Sequence, residues 1–377
     1  MKIVITPDSF KGSLSADQIC RIIGSQVKKF LPDAEVAAFP VSDGGEGMVD
    51  SLLGVMDGKR VSCEALDPCF KKITADYGIL EDGTAVIEMA AASGLPLVPE
   101  GKRNPMETTT YGTGELMKDA FSKGCRKFIL GIGGSATTDG GIGAASALGI
   151  RFLNESGQEV ALSGKGLSAI KRIDVTGLDP KWKECEFIIA CDVDNPLCGE
   201  NGSAAVYGPQ KGADPEMIKC LDAGLSNLET VISDQTGIVY RDRSGIGAAG
   251  GFSLPFVAFF NAELRPGLDI VLDVLEFDQK ISGADLVITG EGKTDFQSAM
   301  GKVLSGVAER SHRQGIPVVA LSGALEEGYE KLYEMGMTAA FSTWCSGKDL
   351  EWQMTHAEEN LKRTSEDLLQ LIKAFCS

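Results

Sequence analysis

Short apolar runs that alternate with helical patterns constrain the fold more than any other feature of this sequence. Residues 2–6 are predicted as a buried strand, and residues 19–30 carry apolar side chains at helical spacing. Ser15 and Gln18 are spaced as in a capping box, which predicts that this helix begins there. Residues 35–40 are predicted as a second strand. This strand–helix–strand order is typical of a parallel α/β sheet.

The C-terminal part of the chain repeats the same pattern. Strands are predicted at residues 284–289, 316–321 and 338–342, helices lie between them, and a long helix ends the chain. The strands are continuous apolar runs rather than alternating ones. Such runs predict a sheet that is covered by helices on both faces.

The middle of the chain differs from both ends. Residues 61–80 and 84–89 are predicted as antiparallel strands, and residues 218–232 as a helix. We therefore predict a two-domain α/β protein. A three-layer, Rossmann-like parallel-sheet domain is formed by residues 1–75 and 283–377, and an inserted mixed α/β domain by residues 76–282. Two consecutive domains that divide near residue 150 are the alternative.

Composition excludes several classes of protein. Acidic residues outnumber basic ones by 53 to 36, and the net charge of −17 disfavours binding to nucleic acid or anionic lipid. The ten cysteines include no C-x-x-C pair, and with only two histidines the sequence argues against a zinc site. We find no signal-peptide core and no apolar run of about 18 residues. We expect a cytoplasmic protein with free thiols and no membrane contact.

The densest glycine cluster lies at residues 131–143, between a predicted strand and a helix of small residues. Glycines allow several backbone N–H groups to converge on one anion, and the N-terminus of the following helix adds positive potential. This pattern predicts a phosphate-binding loop, and its candidate contacts are Gly131, Gly133, Gly134, Ser135, Thr137 and Thr138. Asp139 is a candidate ligand for a cation. The alternative interpretation is a tight turn whose small residues serve close packing.

The same loop contains a weak dinucleotide-binding fingerprint, G-x-G-x-x-A, from Gly131 to Ala136. In that motif the helix begins directly after the glycines, whereas here residues 137–141 separate the motif from the predicted helix. The motif also needs an acidic residue about 20 positions further on, at the end of a second strand. Glu155 lies near that distance but in a predicted turn. An NAD-dependent hydroxy-acid dehydrogenase is therefore a distant alternative.

Acidic residues follow three of the predicted strands. They are Asp43 and Glu46, Asp192 and Asp194, and Glu291 and Asp295. Ligands of open α/β sheets bind beyond the carboxyl ends of the strands, where carboxylates suit Mg²⁺ or a general base. A single carboxylate is more often a turn or helix cap. Acidic residues in three corresponding loops nevertheless favour a functional site.

An anionic ligand needs cationic partners in spite of the acidic balance. The candidates in glycine- or proline-rich loops are Lys11, Arg103, Lys211, Lys293 and Lys302. Arginine can bind a carboxylate through two hydrogen bonds, whereas lysine acts as a point charge on phosphate. Residues 290–294 resemble the end of a P-loop, but the complete motif is absent. Neither His312 nor His356 lies in such a loop, so histidine-based catalysis has no support.

These motifs and several others occur in a fixed order along nearly the whole chain. They are PDSFKGSLSA at 7–16, DGGEG at 43–47, RNP at 103–105, TYGTGEL at 110–116, the loop at 131–143, DVDNPLCG at 192–199, GPQKGA at 208–213, GAAGG at 247–251, and GEG at 290–292 with Asp295 and Gln297-Ser298. In this ordered set the chain resembles the glycerate kinase family of the bacterial type I. Ser42 replaces a common glycine, and residues 252–255 replace small residues; neither departure falls on a charged site position.

The resemblance implies ATP-dependent phosphorylation of D-glycerate, with Mg²⁺, in a cleft between two α/β domains. It favours 2-phosphoglycerate as the product and leaves 3-phosphoglycerate open. A hydroxy-acid-binding protein that has lost catalysis is a further alternative, against which the intact aspartates argue. The implied partners are the small molecules D-glycerate and ATP, and a homodimer is left open.

We assign roles to the candidate residues on this resemblance, because kinases chiefly position their substrates and neutralise charge on the transferred group. Asp192, or Asp43 in its place, orients or deprotonates the substrate hydroxyl. Lys11 and Arg103 bind the glycerate carboxylate or the transferred phosphoryl group. The other assignments are Ser9 and Glu46 for substrate, the loop at 131–138 and Lys293 for nucleotide, and Asp139, Asp194 and Asp295 for Mg²⁺.

Overall fold

Strands and helices alternate over most of the chain, as the apolar pattern predicts. The computed structural model describes residues 1–41, 47–299 and 302–376. Their strands are β1 Lys2–Ile5, β2 Glu35–Ala38, β3 Gly58–Leu66, β4 Lys72–Leu80, β5 Ala85–Glu88, β6 Lys127–Gly131, β7 Arg151–Leu153, β8 Arg172–Asp174, β9 Glu186–Ala190, β10 Glu263–Arg265, β11 Leu286–Thr289, β12 Lys293–Thr294, β13 Val318–Ser322, β14 Ala324–Leu325 and β15 Ala339–Ser342.

The helices connect these strands. In chain order they are α1 Ala16–Phe30, α2 Met48–Val55, α3 Ala90–Ser93, α4 Tyr111–Ser122, α5 Ile142–Ala147, α6 Ser203–Tyr207, α7 Pro215–Thr236, α8 Ala248–Gly251, α9 Ser253–Phe259, α10 Gly267–Val274, α11 Phe277–Ile281, α12 Val303–Arg313, α13 Lys331–Glu334, α14 Leu350–Thr355 and α15 Ala357–Cys376. The capping box predicted at Ser15 is present. The Ser15 hydroxyl accepts a hydrogen bond from the Gln18 N–H, and the Gln18 side-chain oxygen accepts one from the Ser15 N–H.

The chain divides into two units by its internal contacts. Unit 1 comprises Met1–Gly44 and Leu268–Ser377, and unit 2 comprises Gly45–Gly267. Unit 1 contains a five-stranded sheet in the order β15-β13-β11-β1-β2, and every neighbouring pair is parallel. The predicted α/β class with a parallel sheet is therefore confirmed.

Helices cover both faces of the unit 1 sheet. On one face, Ile3 and Ile288 pack with Ile23 of α1 and Leu361 of α15. The alternate residues of these strands, such as Val287, are equally buried, and α12 packs against β11 and β13. Because side chains alternate between the faces of a strand, such a sheet needs apolar residues at every position.

Unit 2 contains a mixed six-stranded sheet in the order β10-β9-β6-β5-β4-β3. The β3–β4 and β4–β5 pairs are antiparallel, and the pairs from β5 to β10 are parallel. An aromatic cluster fills the core beside it: the Phe187 ring stacks on Phe128 at 5.0 Å between centroids and meets Phe260 edge-on at 5.3 Å. The edge and offset contacts of aromatic rings add to their burial.

The unit boundaries differ from the predicted domain boundaries. The first lies near residue 44 rather than 75, because β3 and β4 join the unit 2 sheet through the pair Gly78↔Val86. The second lies near residue 267 rather than 283. Buried Arg310 of α12 holds α10 and α11 in unit 1 through ion pairs with Asp269, Asp273 and Asp278. The alternative division near residue 150 falls inside unit 2.

Two further predictions concern the surroundings of the protein. In the described residues, no helix is both long and apolar enough to cross a bilayer. The described cysteines are unpaired, and burial raises the pKa of the Cys20 and Cys198 thiols to about 12. Thiols of this kind are inert at neutral pH. The cytoplasmic location, the homodimer and the interdomain cleft stay predictions.

Candidate active site

The glycine-rich loop of unit 2 connects β6 to α5, and its first half faces solvent. Gly133 and Gly134 are exposed, and a Cβ added at Gly133 would meet no atom within 4 Å. The turn is anchored by two backbone hydrogen bonds: Leu95 N donates to Gly134 O at 2.8 Å, and Ala136 N donates to Ser93 O at 2.9 Å. The predicted strand–loop–helix arrangement is present, and solvent reaches its turn at Gly133 and Gly134.

The second half of the loop is buried and is organised by Asp139. This carboxylate is inaccessible to solvent and accepts hydrogen bonds from the Thr110 N–H and hydroxyl, both at 2.8 Å. It also accepts from Gly141 N at 3.1 Å and Gly143 N at 3.3 Å, at the start of α5. Burial raises the pKa of Asp139, and these donors act in the opposite direction. The oxygens of Asp139 therefore hold the loop together, and the assignment of Asp139 to Mg²⁺ stays a prediction.

Lys211 is also an interior residue. Its ammonium group is 1% exposed and donates to Thr137 O at 2.5 Å. Burial lowers the pKa of Lys211 to about 7, and the charge of Asp139 opposes that shift. The Thr137 and Thr138 hydroxyls are buried too and have no partner among the described residues. The structure therefore presents neither hydroxyl to solvent, and their assignment to the nucleotide stays a prediction.

Arg103 lies in the same region of unit 2. Gly212, which has φ +92°, packs against the Arg103 backbone, and a Cβ added at Gly212 would lie 2.3 Å from Arg103 O. Lys211 therefore connects the segment beside Arg103 to the glycine-rich loop. The Arg103 Nε is buried and has no hydrogen-bond partner among the described residues. Because buried donors are normally paired, an acceptor that bound beside this Nε would satisfy it.

Asp192 and Asp194 follow β9, as predicted, and both are exposed. Asp192 Oδ1 accepts a hydrogen bond from Gly267 N at 2.8 Å. Asp194 Oδ1 accepts from the Ser244 hydroxyl at 2.5 Å. These carboxylates lie at the carboxyl end of a parallel strand, where ligands of α/β sheets bind.

Unit 1 has a cavity of about 620 Å³ at the carboxyl ends of its strands. The structure brings four predicted site residues together there, and Glu291 and Lys302 join them. The four are Ser9, Lys11, Lys293 and Asp295. They come from the loops after β1 and β11, which the parallel pairing of those strands places side by side.

The charged groups of this cavity are partly paired. Lys293 Nζ lies 2.7 Å from Glu326 Oε2 and 3.5 Å from Asp295 Oδ2. Glu291 is buried, accepts a hydrogen bond from the Ser298 hydroxyl, and has its pKa raised by burial. Lys11 is exposed and makes no ion pair with another described residue. Lys11 is therefore a more available cation than Lys293.

Sequence analysis missed the apolar side of this cavity. Trp344, Leu350 and Met354 line it, and they come from the loop after β15 and from α14. A tryptophan directly after the last strand, at the edge where ligands bind, is the signal that could have identified the wall.

Other predicted residues lie elsewhere. Asp43 and Glu46 fall outside the described residues. Within residues 1–41, 47–299 and 302–376, no three His, Cys, Asp or Glu side chains form a cluster that could hold a metal ion. His312 lies late in α12, and the His356 ring stacks on Trp352 at 4.0 Å between centroids.

Comparison with known proteins gives one consistent result. The model of the Glycerate kinase family matches residues 3–373. Relatives include a glycerate kinase of Haemophilus influenzae, 45% identical over 99% of both chains, and a glycerate 2-kinase of Escherichia coli, 42% identical over 98% of this chain and 97% of the relative. A crystal structure described as glycerate kinase 2 of Salmonella typhimurium LT2 superimposes with a TM-score of 0.88, at 42% identity, over 99% of this chain and 98% of the other. The chain belongs to the glycerate kinase family.

Proposed function

We propose that this kinase transfers the γ-phosphoryl group of ATP to the C2 hydroxyl of D-glycerate, giving 2-phosphoglycerate and ADP. The observation that carries the proposal is the family match over residues 3–373. The name of the Escherichia coli relative, glycerate 2-kinase, supports the position of transfer. The alternative product is 3-phosphoglycerate.

Arg103 is the proposed clamp for the glycerate carboxylate. A guanidinium group can form two parallel hydrogen bonds with a carboxylate, which fixes its orientation as well as its position. The unpartnered, buried Nε of Arg103 supports this role. Ser9 and Glu46 remain the other proposed substrate contacts, and Glu46 lies outside the described residues.

Asp192 is the proposed group that orients the substrate hydroxyl or accepts its proton. Its carboxylate is exposed at the end of β9, and its Oδ1 is held by Gly267 N. A fixed carboxylate at this edge can receive a proton from a bound hydroxyl as the phosphoryl group transfers. Asp43 is the other contender and lies outside the described residues.

The exposed turn at Gly133 and Gly134, with buried Ser135 beside it, is the proposed phosphate contact in unit 2, through its backbone groups. The open space beside Gly133 supports this, because a ligand atom can approach the backbone closely there. In unit 1, Lys11 and Lys293 are the proposed contacts to the nucleotide.

Mg²⁺ is the proposed cofactor. It is commonly held by one or two carboxylates together with substrate phosphates, and it neutralises charge on those phosphates. The exposed carboxylate of Asp194 fits such a role, and Asp139 fits it less well because its Oδ2 already accepts three hydrogen bonds and its Oδ1 one. Asp295 is the remaining candidate, and Lys293 lies beside it.

The test is release of ADP by the purified protein with ATP and Mg²⁺, measured with and without D-glycerate. We expect ADP release that requires D-glycerate and is not supported by L-glycerate or glycerol. ADP release without D-glycerate dependence, or none at all, would contradict the proposal. Oxidation of NADH by hydroxypyruvate in place of ADP release would establish the dehydrogenase alternative.

A further inference from the structure

The unit 1 cavity has an apolar wall that the reaction with glycerate does not explain. Trp344 is 40% exposed, Leu350 62% and Met354 38%. Large apolar side chains are usually buried, and several exposed together in one concavity mark a binding site. D-glycerate is polar on every side and has no apolar face to place against this wall.

Hydrogen bonds of the buried Gln353 side chain hold the wall in place. Cys345 N donates to Gln353 Oε1 at 3.0 Å, and Gln353 Nε2 donates to Cys345 O at 2.6 Å. Buried Asn360 donates to the same Gln353 oxygen at 3.1 Å. Trp344, which directly precedes Cys345, is thereby attached to α14. A wall fixed in this way before binding loses little conformational freedom when a ligand arrives.

The cationic side of the cavity adjoins the wall. A Cβ added at Gly12 would lie 2.7 Å from the terminal methyl carbon of Met354, so the loop that carries Lys11 touches α14. Lys302 also lines the cavity and, like Lys11, makes no ion pair with another described residue. The cavity therefore offers an apolar, partly aromatic surface beside two available ammonium groups.

We propose that this cavity binds the nucleoside part of the nucleotide, with the adenine base stacked on Trp344 and enclosed by Leu350 and Met354. Lys11 lies on the side from which the phosphate chain leaves. A volume of about 620 Å³ is within the usual range for a ligand of nucleotide size. This inference rests on the proposed function, since it takes ATP as the phosphoryl donor.

The experiment is calorimetric titration of ADP and of inorganic tripolyphosphate into the full-length protein and its variants. Trp344→Leu keeps an apolar side chain but removes the aromatic face, and we expect ADP to bind about tenfold more weakly or worse. Leu350→Ser, at a more exposed position, should weaken ADP several-fold. Neither change should affect tripolyphosphate, which has no base.

Trp352→Phe is the matched control. Trp352 lies on the same helix and stacks on His356, but it does not line the cavity. ADP affinity should stay at the wild-type value in this variant. Equal losses in Trp344→Leu and Trp352→Phe would overturn the proposal, since they would indicate a general disturbance of α14.

Unchanged ADP affinity in both Trp344→Leu and Leu350→Ser would also overturn the proposal. The same holds if these variants bind D-glycerate more weakly while their affinity for ADP is unchanged. These results are distinguishable from failure of the proposed function. Wild-type protein that forms phosphoglycerate while its Trp344 variant binds ADP normally would reject the base site alone. Wild-type protein that binds ADP through Trp344 but forms no phosphoglycerate would reject the reaction and retain the site.

Discussion

The glycine-rich loop of unit 2 and the strand-end cavity of unit 1 make opposite use of their polar residues. In the loop, the Asp139 carboxylate and the Lys211 ammonium group are buried and bonded to backbone or side-chain groups of unit 2 itself. In the cavity, Lys11 is exposed and Lys293 is half-exposed at the rim. The loop is the more conspicuous motif in the sequence, yet the cavity is the more accessible site.

The difference shows that a glycine-rich motif contains both exposed residues, which a ligand can contact, and buried residues, which support them. Only Gly133 and Gly134 of the loop face outward, and residues 135–143 are the packed support that holds them. A buried carboxylate with four donors contributes to stability, whereas an exposed carboxylate at a strand end is available for chemistry. Variants can therefore separate loss of stability from loss of catalysis.

Replacement of the exposed carboxylate Asp192 should give the largest effect on activity. We expect Asp192→Asn to lower kcat by a factor of about 10² to 10⁴, because an amide cannot accept the proton of the hydroxyl. The free energy of unfolding should change little. Steady-state kinetics and urea unfolding check both statements, with Glu186→Gln at the opposite end of β9 as the control. A fall in kcat below tenfold would reject Asp192 as the base.

The buried carboxylate should behave in the opposite way. Asp139→Asn places an amide donor among the N–H groups of Thr110, Gly141 and Gly143. We expect the free energy of unfolding to fall by about 2 kcal/mol, since hydrogen bonds to a charged group are lost. Urea denaturation measures this change. Unchanged stability together with a raised Mg²⁺ requirement would restore Asp139 as a metal ligand.

Arg103→Ala tests the half-buried arginine whose Nε is enclosed and unpartnered among the described residues. The KM for D-glycerate should rise about tenfold or more, and far more than the KM for ATP, because a charge-assisted pair is removed. The neighbouring exposed residue provides the control, Lys102→Ala, which should leave both constants unchanged. Equal rises in the two KM values for Arg103→Ala would count against a carboxylate clamp.

Gly133→Ala should give the smallest effect and separates the two halves of the loop. The added methyl group meets no protein atom, so the midpoint of thermal unfolding should not move. The KM for ATP should rise several-fold if phosphate approaches the backbone there. Gly141→Ala is the contrasting variant, since Gly141 has φ +73° and its Cβ would lie 2.3 Å from Phe252 O. Gly141→Ala should therefore unfold at a lower temperature. An unaltered KM for ATP in Gly133→Ala would show that the turn does not contact the nucleotide.

Much of the fold follows from local sequence patterns. The strands of the parallel sheet in unit 1 are apolar runs between helical stripes, and each was predicted within about two residues of its observed bounds. The unit boundary near 44 differs from the predicted domain boundary near 75 because β3 and β4 carry no local mark of the sheet they join. That choice depends on the distant pairing of Gly78 with Val86 and of β5 with β6.

The sequence predicted which types of residue lie near the site, but it did not predict which of them are exposed and which are buried. Asp139 and Asp192 both lie in loops that follow strands, and the packing of Thr110 and α5 against Asp139 distinguishes them. The wall of Trp344, Leu350 and Met354 was missed for a related reason. Apolar residues near a helix are normally assigned to the core, and their exposure depends on how α14 lies beside the Gly12 loop.

The most direct test of the central claim is ³¹P and ¹³C NMR of a reaction that contains the purified protein, D-glycerate, ATP and Mg²⁺. We predict a new phosphomonoester ³¹P signal that the single C2 proton splits into a doublet, with the C2 carbon shifted downfield; this identifies 2-phosphoglycerate, and the signals of ADP accompany it. A ³¹P signal split by the two C3 protons, with the C3 carbon shifted instead, would identify 3-phosphoglycerate and contradict the assigned position of transfer. Unchanged ATP and D-glycerate after prolonged incubation would contradict the kinase reaction itself.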